Sequence, residues 1–427
     1  MVVDSKFSSL ILLGWLIFFQ CLAGIYLTSC RRAIRPHDRA QLHNNQGVVY
    51  LNRKEYDRAE RELKMAVELS PQYADAYHNL GVLYEQTGDL NRAEESYLTA
   101  TKKDHKFAQP HNGLCSVYLR EGQYKKGIKH GKKALKKNPN IADPAFCMGI
   151  CFVRLENPKE AETALRRATD IDPNHYLAHN ALAKVYLQDG RYDDAINRLL
   201  VAVEILPSFE EAWRNLSFAY YQKGDFIKAT EYIRSSLGIN PNNSSGNKLY
   251  AAILLKQARN EPLKAITYCQ EAVEKLRYVI KKINSQDGEA LANLGLAKRC
   301  VGREKRKAGD LETGTRWLLE AEKTLKYSIE VEPENCYTYL YLGELQLDEF
   351  KNKQKAGEAS LIEAINCSRK YKNPLDLALF KLGSHYMETK RVREGKKYLC
   401  EFLNASDPSN REQIAKAQAM TASLGGC

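Results

Sequence analysis

Residues 73–100 read YADAYHNLGVLYEQTGDLNRAEESYLTA, and a helical period organises them. Leu80, Leu83 and Tyr84, and then Ala93, Tyr97 and Ala100, fall at i, i+3, i+4 and i+7 spacings. That is the pattern of two amphipathic helices, not of strands. Gly88 stands between them, where a helix must stop and the chain reverse. The stretch therefore predicts a helical hairpin with an apolar face that only a neighbouring hairpin can cover.

The neighbours are present at a fixed distance. Tyr50, Tyr84, Tyr118, Phe152, Tyr186 and Tyr220 follow one another every 34 residues. Three residues before each sits Gly47, Gly81, Cys115, Gly149, Ala183 or Ser217, always small. Nine residues after each comes Ala59, Ala93, Gly127, Ala161, Ala195 or Ala229. The small residues let two helices approach closely, and the aromatic fills the space between them. Gly122, Gly190 and Gly224 repeat the Gly88 break. Pro71, Pro139, Pro173, Pro207 and Pro241 close their units, where proline cannot continue the second helix; His105 breaks that series.

With these residues in place the sequence resembles the tetratricopeptide repeat family, both over 73–100 and over EAWRNLSFAYYQKGDFIKATEYI at 211–233. The resemblance implies an all-α superhelical solenoid of about 9–10 helix-turn-helix repeats; ahead of it the uncharged run from Phe7 to Leu27 reads as an N-terminal membrane-targeting segment. Residues 40–243 hold six regular units, and 244–408 hold further, more divergent ones. The stretch GREKRKAGDLETGT at about 302–315 reads as an insertion, and 409–427 as a capping helix and tail.

Catalysis finds no support. There is no phosphate-binding glycine loop and no paired CxxC site. His175 and His179 lie four apart, but Tyr176 stands where a zinc protease needs glutamate. Cys147 and Cys151, also four apart, and Cys115 in a small-residue slot read as free, buried cysteines packing as small hydrophobes. The sequence calls for no cofactor and no metal, and predicts a non-enzymatic binding scaffold.

The resemblance implies that protein or peptide partners dock in a concave groove lined by the first helix of each unit. Candidate groove residues are Asn45, Asn79, Asn112, Asn180, Arg214, Asn215 and Asn293. Side-chain amides both donate to and accept from a peptide backbone, so a ladder of them reads main chain. Val48, Val82, Ile150 and Phe218 suggest a partly apolar floor. The lysine-asparagine clamp of chaperone-binding members is absent at matching positions. The net charge is +12, and one basic stripe stands out: Lys125, Lys129, Lys132, Lys133 and Lys136 run down one side of a helix. Such a stripe suits anionic lipid or an acidic partner, or a solvated face; without interleaved aromatics, nucleic acid is disfavoured.

The N-terminus sets the compartment. No charge occurs from Phe7 to Leu27, and Leu27-Thr28-Ser29-Cys30 matches a bacterial lipobox, making Cys30 the expected lipid attachment and 1–29 a signal peptide. Arg31, Arg32, Arg35 and Arg39 lie in or at the end of the basic linker 30–39. That placement suits a spanning anchor with its basic side in the cytoplasm, as about 21 uncharged residues would cross a bilayer. Nine cysteines from Cys115 onward, an odd number without disulfide-like spacing, point the same way. The favoured expectation is a periplasm-facing lipoprotein, similar to those that assemble outer-membrane machines such as type IV pili. The alternative is a cytoplasm-facing adaptor held by one transmembrane helix, a form that could present substrates to a partner enzyme.

Overall fold

The computed structural model describes residues 36–371, 375–408, 410–422 and 424–427. The candidate signal or anchor and Cys30 lie outside the described residues, and no described helix is long and apolar enough to cross a membrane. The described chain is helical throughout, without strands. It divides into two compact units, up to Val185 and from Tyr186 onward.

In the first unit, hairpins are formed by α1 (Pro36–Asn52) with α2 (Tyr56–Leu69), α3 (Ala74–Thr87) with α4 (Leu90–Lys103), α5 (Gln109–Arg120) with α6 (Tyr124–Lys137), and α7 (Ala142–Arg154) with α8 (Pro158–Ile171). α9 (Tyr176–Gln188) contains the division between the units. The first helices α1, α3, α5 and α7 also pack successively on one another, forming a close row.

The periodic residues fill the roles their spacing requires. Gly88, Gly122, Gly190 and Gly224 take φ between 71° and 85°, the left-handed conformation that ends the first helix. Lys54 and Glu156 occupy the equivalent site at φ 60° and 57°, without a glycine's freedom. Tyr97 is fully buried between two helices of the row. A Cβ on Gly81 or Gly113 would come within 2.5 and 2.4 Å of its ring, so only glycine leaves it room. The motif tyrosines also bond backwards: Tyr84 donates to Glu60 at 2.9 Å and Tyr118 to Glu94 at 2.5 Å, the same tie one repeat later. Burial, with the Glu60 carboxylate beside it, pushes the Tyr84 hydroxyl up to about 12.

The second unit continues with α10 (Tyr192–Ile205), α11 (Glu210–Lys223), α12 (Phe226–Ile239), α13 (Ser244–Asn260) and α14 (Ala265–Tyr278), whose end loosens into a π turn at Val279–Ile283. Then follow α15 (Gly288–Lys307), α16 (Leu311–Val331), α17 (Cys336–Glu349), α18 (Gln354–Tyr371), α19 (Asp376–Glu388) and α20 (Val392–Ala405). α21 (Arg411–Ala422) packs on the last hairpin, burying Ala417 and Thr421. Residues 302–315 are helical except at the turn 308–310. They lengthen α15 and α16 into helices of 20 and 21 residues that turn at Gly309. The additional turns are held by charge. Arg299, 7% exposed, reaches Glu344 at 3.1 Å and Asp348 at 2.7 Å, while Arg303 reaches Glu349 at 3.3 Å.

The cysteines overturn the sequence reading. Disulfides join Cys115 to Cys147, Cys269 to Cys300, Cys336 to Cys367 and Cys400 to Cys427. Cys115 and Cys147 are therefore cross-linked, not free. Cys151 is the free cysteine among the described residues; it is buried, and burial pushes its thiol up to about 11. Separations of 27 to 32 residues look arbitrary along the chain. In a stack with a period of 34 residues, however, they bring neighbouring helices into register.

Candidate functional site: the first-helix row and the lysine face

Four of the seven predicted groove residues, Asn45, Asn79, Asn112 and Asn180, lie on first helices of the first unit, and their side chains are not equivalent. Asn45 is exposed, Asn79 and Asn112 are half-buried, and Asn180 is buried. Asn79 spends its amide on the first helix of the preceding repeat, donating to Asn44 Oδ1 on α1 at 2.8 Å. Asn44 in turn donates to the Tyr73 hydroxyl at 3.4 Å. At this step the amides tie one repeat to the next before meeting any ligand. In the second unit Asn215 is buried and Asn293 half-buried, while Arg214 lies 3.6 Å from Glu210. No single ladder gathers all seven residues within one unit.

The row still offers a mixed surface. Val48, Val82, Phe146 and Ile150 are half-buried, each with an edge left to solvent. Among them sits Glu85, which sequence reasoning passed over: it accepts from Tyr97 at 2.8 Å and from Ser116. His78 lies between the Tyr97 and Phe107 rings, and burial lowers its pKa to about 4, leaving it neutral near pH 7. His175 and His179 do not converge on a shared site: His175 faces Asp143 at 3.3 Å, and His179 Nε2 donates to the Pro173 carbonyl at 2.9 Å. The sulfurs of Cys115, Cys147 and Cys151 do cluster within 4.8 Å, but two of them are bonded to each other.

The basic stripe lies on α6. Gly127, Ile128, His130, Gly131, Ala134 and Leu135 turn inward, and every exposed position from Lys125 to Lys137 is lysine. Cys151 and Met148 of α7 approach Gly127 and Gly131 so closely that a Cβ there would meet them at 2.9 and 2.4 Å. Beneath the lysines, His111 and His130 face each other with Nδ1 atoms 3.2 Å apart. Burial, the facing ring and neighbouring lysines lower His111 to about 4; burial and those lysines do the same for His130.

Comparison with known proteins agrees with this architecture. Family profiles described as "Tetratricopeptide repeat" match residues 76–107, 118–185, 152–217 and 210–243, and one described as "TPR repeat" matches 47–88. Over residues 47–107 and 118–243, then, the chain is built of tetratricopeptide repeats. It is 32% identical over 107 residues to the BBSome complex member BBS4 of Bos taurus, covering 25% of this chain and 19% of that protein. It is 26% identical over 141 residues to the peroxisomal targeting signal receptor of Saccharomyces cerevisiae, covering 33% and 21%. The chain thus spans about a fifth of the length of these curated relatives. Among solved structures, YrrB, a repeat protein described as having an unusual peptide-binding site, is 26% identical, with a TM-score of 0.36, covering 43% of this chain and 95% of that one. Pseudomonas aeruginosa pilF is 16% identical, with a TM-score of 0.47, covering 51% and 99%. The last likeness concerns the fold alone.

Proposed function

We propose that this protein is a membrane-tethered scaffold that holds protein or peptide partners along its first-helix row, facing an oxidising compartment. The observation that carries the binding role is the row itself. Successive first helices pack together and leave Val82, Phe146 and Ile150 partly open beside polar Asn112 and Ser116. An extended or amphipathic segment suits such a surface, with apolar pockets for side chains and amides for main chain.

The cysteines support the compartment. Eight of the nine that follow Cys30 are paired, whereas a reducing cytoplasm keeps thiols free. They weigh against the cytoplasm-facing adaptor, and a tether by lipid at Cys30 is the form proposed in its place. Assembly of a membrane-associated complex, of outer-membrane or pilus type, is the specific role proposed with that lipid. Photocrosslinking residues at Val82 and Ile150 in the native host should trap a partner, whereas one at Lys159 on α8 should not. Equal trapping at all three positions would overturn the binding role. Intact mass tests the tether: loss of residues 1–29 with added acyl chains supports it, and an uncleaved Met1 end refutes the lipoprotein form.

A further inference from the structure

We propose that the lysine face of α6 docks on the headgroups of an anionic lipid bilayer. This rests on the membrane-tethered reading above.

The face is unusual within its own stack. Other second helices mix their signs and pair them internally, as Lys64 with Glu60 on α2 at 3.0 Å and Arg166 with Glu162 on α8 at 3.3 Å. α6 has nothing of its own to pair with, because no acidic residue occurs between Glu121 and Asp143. Every exposed position from Lys125 to Lys137 is instead a cation, so the helix side carries one sign along its whole length. The patch extends to the end of α4: Lys137 donates to the His105 carbonyl, bringing exposed Lys102 and Lys106 alongside. Crowding this many like charges together is unfavourable by itself, and a polyanion relieves it.

The chemistry of the face selects the polyanion. All its charges are lysine, compact point charges without the planar fork that reads carboxylates or phosphates in pairs. From Lys125 to Lys137 the helix shows no exposed aromatic on which a base could stack. Nor does it show an exposed apolar anchor of the kind that centres a protein–protein interface. The helix side is straight, about 18 Å long at 1.5 Å per residue. A bilayer surface needs charge and flatness, and it supplies diffuse negative potential. The uncharged run from Phe7 to Leu27 precedes the described chain and would bring that surface within reach.

The test uses the full chain with vesicles of phosphatidylcholine alone and of phosphatidylcholine with phosphatidylglycerol, read by sedimentation. The variant replaces Lys125, Lys129, Lys132, Lys133 and Lys136 with Gln. A control replaces Lys159, Lys223, Lys228, Lys264 and Lys326 with Gln for the same change in net charge, and circular dichroism checks that both fold. At about fivefold per lysine near an anionic surface, the variant should lose its phosphatidylglycerol preference on the order of a hundredfold or more. It should keep its binding to phosphatidylcholine, and the control should keep both. A wild-type chain that binds both vesicles equally overturns the inference while leaving the tether standing. A chain that binds neither vesicle overturns the tether and the inference with it. Equal loss in the control, or tighter capture by duplex DNA or polyglutamate than by the vesicles, also overturns the inference.

Discussion

Breaking the cross-links should weaken the second unit more than the first, because three of the four links among the described residues lie there: Cys269–Cys300, Cys336–Cys367 and Cys400–Cys427. Each closes a chain segment with a sequence separation of 27 to 31 residues. In the chain-entropy account, closing a loop of about 30 residues removes roughly 12 cal/mol/K from the unfolded ensemble, or about 3.6 kcal/mol per link at 25 °C. For a body of this size 1 kcal/mol moves the midpoint by about 2–4 °C, so losing one link lowers it by roughly 7–14 °C. Because repeat arrays answer mostly to nearest neighbours, the loss should be local to the hairpins a link joins. The assay is thermal unfolding by circular dichroism with and without dithiothreitol, together with hydrogen exchange read separately for residues before and after 185. A Cys400→Ser, Cys427→Ser pair should loosen α20 and α21 alone. The reasoning fails if the purified chain, denatured without reductant, takes up iodoacetamide at Cys151 and at the eight paired positions as well. It fails equally if reduction leaves the second unit's exchange unchanged.

Three further outcomes follow from particular contacts. Gly113→Ala places a methyl against the Tyr97 ring, which has no room to yield; overpacking of this kind costs about 1–3 kcal/mol, measurable as a lower denaturant midpoint with unchanged helicity. Glu156→Gly and Lys54→Gly relieve left-handed non-glycine residues and should each raise stability by about 1 kcal/mol, where no gain in the urea midpoint would count against the strain. His111 and His130 have folded pKa values near 4, below the unfolded value of about 6.5, so unfolding takes up protons between the two. Their contribution is complete above pH 6.5 and is lost as pH falls toward 4, at most about 3 kcal/mol for each ring. Replacing both by Gln should flatten the difference between urea midpoints at pH 7 and pH 4.5.

The repeat was legible because its determinants are local. A glycine or its stand-in ends each first helix of the six regular units, and small residues recur where helices meet, so a period of 34 residues defines hairpins before any are seen. The lysine stripe was legible for the same reason: helical spacing alone puts Lys125, Lys129 and Lys136 on one side. The asparagines were not, since spacing says which face a side chain occupies but not what occupies it already. Asn79 meets Asn44 from the neighbouring repeat, and only stacking reveals that bond.

Residues 302–315 break the repeat register in the sequence, and the structure shows what they build: two helices run on past the usual length, with Arg299 and Arg303 meeting Glu344, Asp348 and Glu349 on the next first helix. The cysteines mark the division most clearly. By itself the sequence determined a stack of helical hairpins, the face each one buries and the side on which its charges fall, because these depend on neighbours a few residues away. The tertiary structure decided which cysteines bond, which amides are spent and which carboxylates meet Arg299. Those partners lie about one repeat distant along the chain and become neighbours only when hairpins stack.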